Sequence, residues 1–204
     1  MGVSGWITGQ ALAPTRSTSP GFNSAQHTER RIFASKLVKD EREEIMAKKV
    51  RNKQGSGAIA ELIDALNEDL AREYQAIIAY TVYSSVLTGA QWMNIAAELK
   101  LHAAEELQHA LIIADQIDYL GGEPTATPKP VKLSKKPQEM IRFDLDNETE
   151  TIKNYRRRVK QAEALGHYAL AEKLRTIIAQ EQEHQHDLAT ALGIDVPRVL
   201  EGGA

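Results

Sequence analysis

Between Ile59 and Leu192 apolar side chains recur at spacings of three and four, as they do in helices that each bury one face. The recurrence stops at Thr88-Gly89, over Gly121 to Pro137, and at Gly166. Four helical segments are therefore expected, over about 58–88, 91–120, 137–165 and 167–191. Their stripes run through Leu62, Leu66, Leu70 and Tyr80; Ile95, Leu99, His102 and Ile113; Ile141, Leu145, Ile152 and Tyr155; and Leu170, Leu174, Ile177 and Leu188. The first and third connections are tight. The second carries Pro124, Pro128, Pro130 and Pro137, and some fifteen extended residues at ~3.3 Å each cover ~50 Å, enough to cross a bundle from end to end. Helices joined tight, long, tight predict an all-α four-helix bundle with a long crossover between its second and third helices.

Acids interrupt every stripe. Glu73, Glu106, Glu148 and Glu181 each fall on a core face, joined by His109 and His184 in two Glu-x-x-His pairs. With 19 Glu and 6 His in 204 residues, chance supplies roughly half of one such pair, and the chain has three. The third, Glu183 with His186, overlaps the second, and the apolar pattern selects Glu181 with His184 as the inward register. Counting from the tight turns, Glu73 precedes Gly89 by 16 residues and Glu106 follows it by 17, a height difference of ~1.5 Å. Glu148 precedes Gly166 by 18 and Glu181 follows it by 15, a difference of ~4.5 Å.

Four carboxylates gathered in a core repel one another and lose their hydration, so they require counter-charge. Two divalent cations supply it, with two neutral imidazoles completing the ligand set. The chain has no Cys, which removes disulfides and thiolate metal sites and leaves oxygen and nitrogen donors, a set suited to iron or manganese over calcium or magnesium.

The ends of the chain read differently. Residues 1–27 are rich in Gly, Ser, Thr and Pro, with Gly5-Trp6-Ile7 as a lone apolar anchor, and 28–53 form a weakly amphipathic helix through Ile32, Phe33, Leu37, Ile45, Met46 and Val50. Gln54-Gly55-Ser56-Gly57 punctuates the chain, giving an N-terminal extension of 1–56, a bundle of 57–192 and a short tail of 193–204. The extension carries 10 Lys/Arg against 5 Asp/Glu, the remainder 15 against 23, so DNA is a candidate partner of the basic end. With neither a membrane span nor a signal-type apolar segment in the sequence, the cytoplasm is the expected location.

Glu73, Glu106-x-x-His109, Glu148 and Glu181-x-x-His184, taken in order and by helix, resemble the di-iron pattern of the ferritin-like superfamily, most closely bacterioferritin and Dps-like proteins with a bacterioferritin-type site. The resemblance covers about 58–192. It implies that Glu106 and Glu181 bridge two iron ions, that Glu73 and His109 complete one site and Glu148 and His184 the other, and that Tyr80 stands beside them. It further implies a ferroxidase that oxidises Fe(II) with O2 or H2O2 and stores the product inside a homo-oligomeric shell. Two departures qualify it: Leu107 stands where bacterioferritins carry their haem-ligating Met, which argues against haem, and no fifth helix is expected after Leu192, which favours a dodecamer over a 24-mer. Related helices also serve manganese catalase and rubrerythrin-like peroxidase, and a DNA-protecting Dps-like role through the basic extension is a further alternative. His102 reads as a hydrogen-bonded core histidine.

Overall fold

The computed structural model describes residues 24–199; the expected N-terminal tail with Gly5-Trp6-Ile7 and the last five residues of the expected C-terminal tail lie outside them. The chain divides into two units, 1–49 and 50–204. In the first, the described residues are helical, Ile45 and Met46 are exposed, and Lys39 lies 3.8 Å from Glu43 one turn on.

Among the described residues four α-helices appear: α1 (Ser24–Val86), α2 (Met93–Tyr119), α3 (Pro137–Ala164) and α4 (Tyr168–Leu192), with a 3-10 turn at Ala90–Trp92 before α2. The bundle helices end within two residues of their expected limits. One helix limit differs: no helix starts at 58, because α1 runs through Gly55 and Gly57. Neither glycine has a positive φ. A helical glycine costs about 1 kcal/mol relative to alanine, which weakens a helix without ending it.

Glycine is required at the turns. Gly89 adopts φ 114°, and Gly166 adopts φ 78° with hydrogen bonds from Gly166 N to Glu163 O and from His167 N to Ala162 O closing the end of α3.

The crossover is an extended strap lying along α1. Asn67 binds Glu123 O and Thr125 N, Lys129 N donates to Ala71 O, Gln75 donates to Pro130 O, and the Tyr83 hydroxyl donates to Lys132 O. It delivers the chain from the level of Asn67 to that of Tyr83, so α3 starts beside the end of α1 and runs antiparallel to it.

The apolar core is in two parts. Leu62, Leu66, Leu70, Ile113, Ile117, Leu170, Leu174 and Ile177 pack at one end of the bundle. Tyr83, Trp92, Ile95, Leu99, Ile141, Leu145 and Leu188 pack at the other. The buried acids and histidines fall between them.

Candidate metal centre

Each helix supplies its part of the centre from a buried stripe. Glu73, Glu106, His109, Glu148, Glu181 and His184 are each 2% exposed or less. Their donor atoms form two groups, Glu73/Glu106/His109/Glu181 and Glu106/Glu148/Glu181/His184, each with its atoms within 4.8 Å of one another. Glu106 and Glu181 belong to both. Oε2 of Glu106 lies 3.0 Å from Nδ1 of His109, and its Oε1 lies 3.0 Å from Nδ1 of His184. Glu181 repeats the arrangement, with Oε1 3.1 Å from His109 and Oε2 3.4 Å from His184. Glu73 Oε2 approaches His109 at 3.5 Å. Glu183 and His186 are exposed, so the apolar pattern selected the inward pair.

The outward nitrogens of both imidazoles are anchored across the bundle. His109 Nε2 meets Gln180 Oε1 at 2.9 Å, and His184 Nε2 meets Glu105 Oε2 at 2.9 Å. Each anchor is the residue preceding the glutamate of the opposite helix that both donor groups share, and the contact fixes ring orientation with Nδ1 inward. Tyrosines hold the remaining carboxylates: the Tyr80 hydroxyl donates to Glu148, and the Tyr155 hydroxyl donates to Glu73.

Tyr80 was anticipated; Tyr155, Glu105 and Gln180 were not. The missing signal was a repeat. Glu73, Tyr80, Glu105, Glu106 and His109 are each followed 75 positions later by Glu148, Tyr155, Gln180, Glu181 and His184. His102 departs from expectation as well: although 3% exposed, it has no hydrogen-bond partner for Nδ1 and stacks on His184 with ring centroids 4.0 Å apart.

Burial governs the electrostatics. It pushes the Glu73 and Glu148 carboxyls well above the ordinary range, and the negative charge of Glu106 and Glu181 adds to it. Burial acts the same way on Glu106, but contacts with His109 and His184 outweigh it and hold that carboxyl low. Glu181 is likewise held low against burial and the Glu106 charge, by His109 and His184. Burial opposes protonation of both rings, yet Glu106 and Glu181 raise His184 to about 11 and raise His109 strongly. Without cations, these shifts favour charged imidazoles beside ionised Glu106 and Glu181 and neutral carboxyls at Glu73 and Glu148, a set whose charges cancel.

The pairing is loose. Glu73 Oε2, Glu106 Oε1, both oxygens of Glu181 and Nδ1 of His184 approach their ion-pair partners at 3.0 to 3.5 Å, and none of them makes a hydrogen bond. Five such atoms in two donor groups that share Glu106 and Glu181 fit a pair of cations, since buried polar atoms are otherwise hydrogen-bonded. Two divalent ions replacing four protons preserve neutrality, and carboxylate oxygen with imidazole nitrogen suits iron or manganese.

An antiparallel four-helix bundle with a long crossover and a buried carboxylate–histidine cluster defines the ferritin-like class of helical proteins. The model of the ferritin-like domain matches residues 63–195, and the chain belongs to that family. It is similar to a bacterioferritin of Desulfovibrio desulfuricans, 32% identical over 126 residues that make up 61% of this chain and 70% of the relative. Among solved structures it resembles a ferritin-like, diiron-carboxylate protein of Bacillus anthracis, with TM-score 0.64 and 38% identity over 66% of this chain and 97% of that one. It also resembles a dodecameric thioferritin, the bacterioferritin-related protein of Bacteroides fragilis, with TM-score 0.61 and 28% identity over 66% of this chain and 86% of that one. Among the described residues no helix is long and apolar enough to cross a membrane.

Proposed function

We propose that the chain is a ferroxidase serving iron storage: it binds two Fe(II) ions between Glu106 and Glu181 and passes their electrons to O2 or H2O2. The observation that carries this reading is the split of both carboxylates, one oxygen toward each histidine, with three of those four oxygens making no hydrogen bond. Fe(II) is the substrate: two ions give up two electrons, which with two protons reduce H2O2 to two waters or O2 to H2O2. The residues do the rest. Glu106 and Glu181 serve as the bridging ligands, Glu73 with His109 and Glu148 with His184 as the terminal ones. Tyr80 and Tyr155 orient Glu148 and Glu73, and the apolar clusters on either side exclude bulk water.

Storage requires a shell of copies, and a dodecamer is favoured over a 24-mer. Two observations support assembly. The thioferritin that this chain resembles is dodecameric. The outward face of α2 exposes Met93, Leu101, Leu107 and Leu111, each at least 47% exposed, where a monomer gains nothing by placing them. Haem is not assigned, because the Leu107 side chain has no donor atom.

Metal-free protein mixed with Fe(II) under O2 and under H2O2 tests the reading, beside a Glu106→Ala/Glu181→Ala double variant. Rapid oxidation in the native chain and background rates in the variant are expected. Background rates in both, with vigorous oxygen release from H2O2 in the manganese-loaded protein, would move the assignment to catalase chemistry.

A further inference from the structure

We propose a third cation site, formed by Glu98 and His102 of α2 with Asp187 of α4, that takes one divalent transition-metal ion beside the dinuclear pocket. Glu98 and His102 are four residues apart and therefore share a helix face, and Asp187 follows His184 by three on the facing helix. Donor atoms from the three residues lie within 4.8 Å of one another.

The state of His102 singles out this cluster. Its side chain is only 4% exposed, yet Nδ1 has no partner, and Nε2 makes a single polar approach, to Asp187 Oδ2 at 3.4 Å, long for a hydrogen bond. A buried imidazole usually finds a partner for each nitrogen, because an unpaired one forfeits its hydration without replacement. A cation between His102 Nε2, Glu98 and Asp187 gives that nitrogen the close partner it lacks and offsets the charge of both acids. One imidazole and two carboxylates suit Fe(II), Mn(II), Co(II) or Zn(II) over Ca(II) or Mg(II), and three protein ligands leave positions for water, so the ion can exchange.

The surroundings give the site a direction. Glu98 is exposed and Asp187 half-buried, whereas His102 is buried against His184. Glu105, which holds His184 Nε2, groups with His102 and His184 within the same 4.8 Å reach. Donor atoms thus continue from the solvent-facing Glu98 to the histidine whose other nitrogen faces the dinuclear pocket. The site is a waiting position for Fe(II) before it enters that pocket. This role rests on the ferroxidase reading; the binding site does not.

Equilibrium dialysis of the metal-free full-length protein against Co(II), which does not turn over, separates the two. The native chain is expected to hold about three Co(II), a Glu98→Gln/Asp187→Asn variant about two, and Glu106→Ala/Glu181→Ala about one. A native chain that binds two, unchanged in Glu98→Gln/Asp187→Asn, overturns the third site and leaves the dinuclear one standing. A native chain that binds one, lost in Glu98→Gln/Asp187→Asn and kept in Glu106→Ala/Glu181→Ala, supports the third site and removes the dinuclear reading. Both substitutions in the Glu98/Asp187 variant fall on solvent-accessible positions, and circular dichroism matching the native chain verifies its fold. In that variant the initial rate of Fe(II) oxidation at limiting iron should fall several-fold while the final yield stays unchanged; an unaltered rate overturns the waiting role.

Discussion

Gln180 Oε1 lies 2.9 Å from Nε2 of His109, whereas the position equivalent to Gln180 in the other half of the centre is Glu105, 2.9 Å from Nε2 of His184. The two imidazoles have the same geometry and different anchors, an amide for one and a carboxylate for the other. A carboxylate partner makes the ring a stronger donor to a metal. The His184 half should therefore fill first. Glu105→Gln is expected to weaken the first binding step by about 10- to 100-fold, and Gln180→Glu to strengthen the second. Stepwise Zn(II) calorimetry measures both, and two steps indifferent to Glu105→Gln would sink the argument.

Tyr155→Phe leaves Glu73 without a partner on either oxygen, since its Oε2 already has none. The metal-free protein should lose about 1–3 kcal/mol of stability, the usual penalty for orphaning a buried polar group. Bound metal satisfies the carboxylate, so the loss should shrink when Zn(II) is present. Urea unfolding in the two states is the check, and an equal loss in both would show that Glu73 does not meet the ion.

Loading the centre should release protons. In the metal-free protein Glu106 and Glu181 favour the charged forms of His109 and His184, while burial favours the protonated forms of Glu73 and Glu148. Two divalent ions displace all four, so about four protons per chain should appear in a pH-stat at pH 7. Glu73→Gln should lower the count by one. Release of fewer than two by the native chain would contradict the charge balance described above.

Asp69 supplies a pH dependence away from the centre. Burial pushes its carboxyl up to about 6 against the Arg158 guanidinium, whose Nε stands 2.7 Å from Oδ2. The folded chain therefore holds this proton more tightly than the unfolded chain. The resulting stability is fully present below about pH 4 and is lost as pH rises through about 6, by about 3 kcal/mol. Asp69→Asn should flatten that part of the stability profile of the metal-free protein. A native slope that persists in the variant would assign it elsewhere.

Leu101 and Leu111 stand 59% and 51% exposed on α2. Replacing both by Glu places charge on the apolar face that the proposed shell would bury. Light scattering should then show smaller particles with unaltered helix content; assembly at the native size would exclude this face from the contacts between copies.

The periodic stripes made most of the centre legible in advance. A glutamate inside an apolar row declares a buried charge, and turn-to-residue counts placed Glu73 level with Glu106 without any side-chain information. Residues outside or across the rows were harder. Gln180 and Glu105 lie beside the core face, so helical period alone gave no reason to choose them; only the packing of α2 against α4 turns them toward histidines. Tyr155 sat in its row as ordinary core, because its hydroxyl partner is on another helix. The continuity of α1 through Gly55 and Gly57 shows the limit of punctuation, since glycine lowers helix stability by an amount that neighbouring residues can offset.

The strap beside α1 determines which tyrosine reaches which acid. Had Gly121 opened a tight turn, α3 would run parallel to α1, and Tyr80 and Tyr155 would both stand ~10 Å toward the same end, seven residues beyond their own glutamates. The return along α1 reverses α3, so that each tyrosine comes level with the other helix's acid. A tandem pair of like hairpins thereby becomes a centre with two-fold rotational symmetry about an axis across the bundle. The proline-rich stretch, which donates nothing to the pocket, is the element that turns two repeats of one half-site into a closed whole.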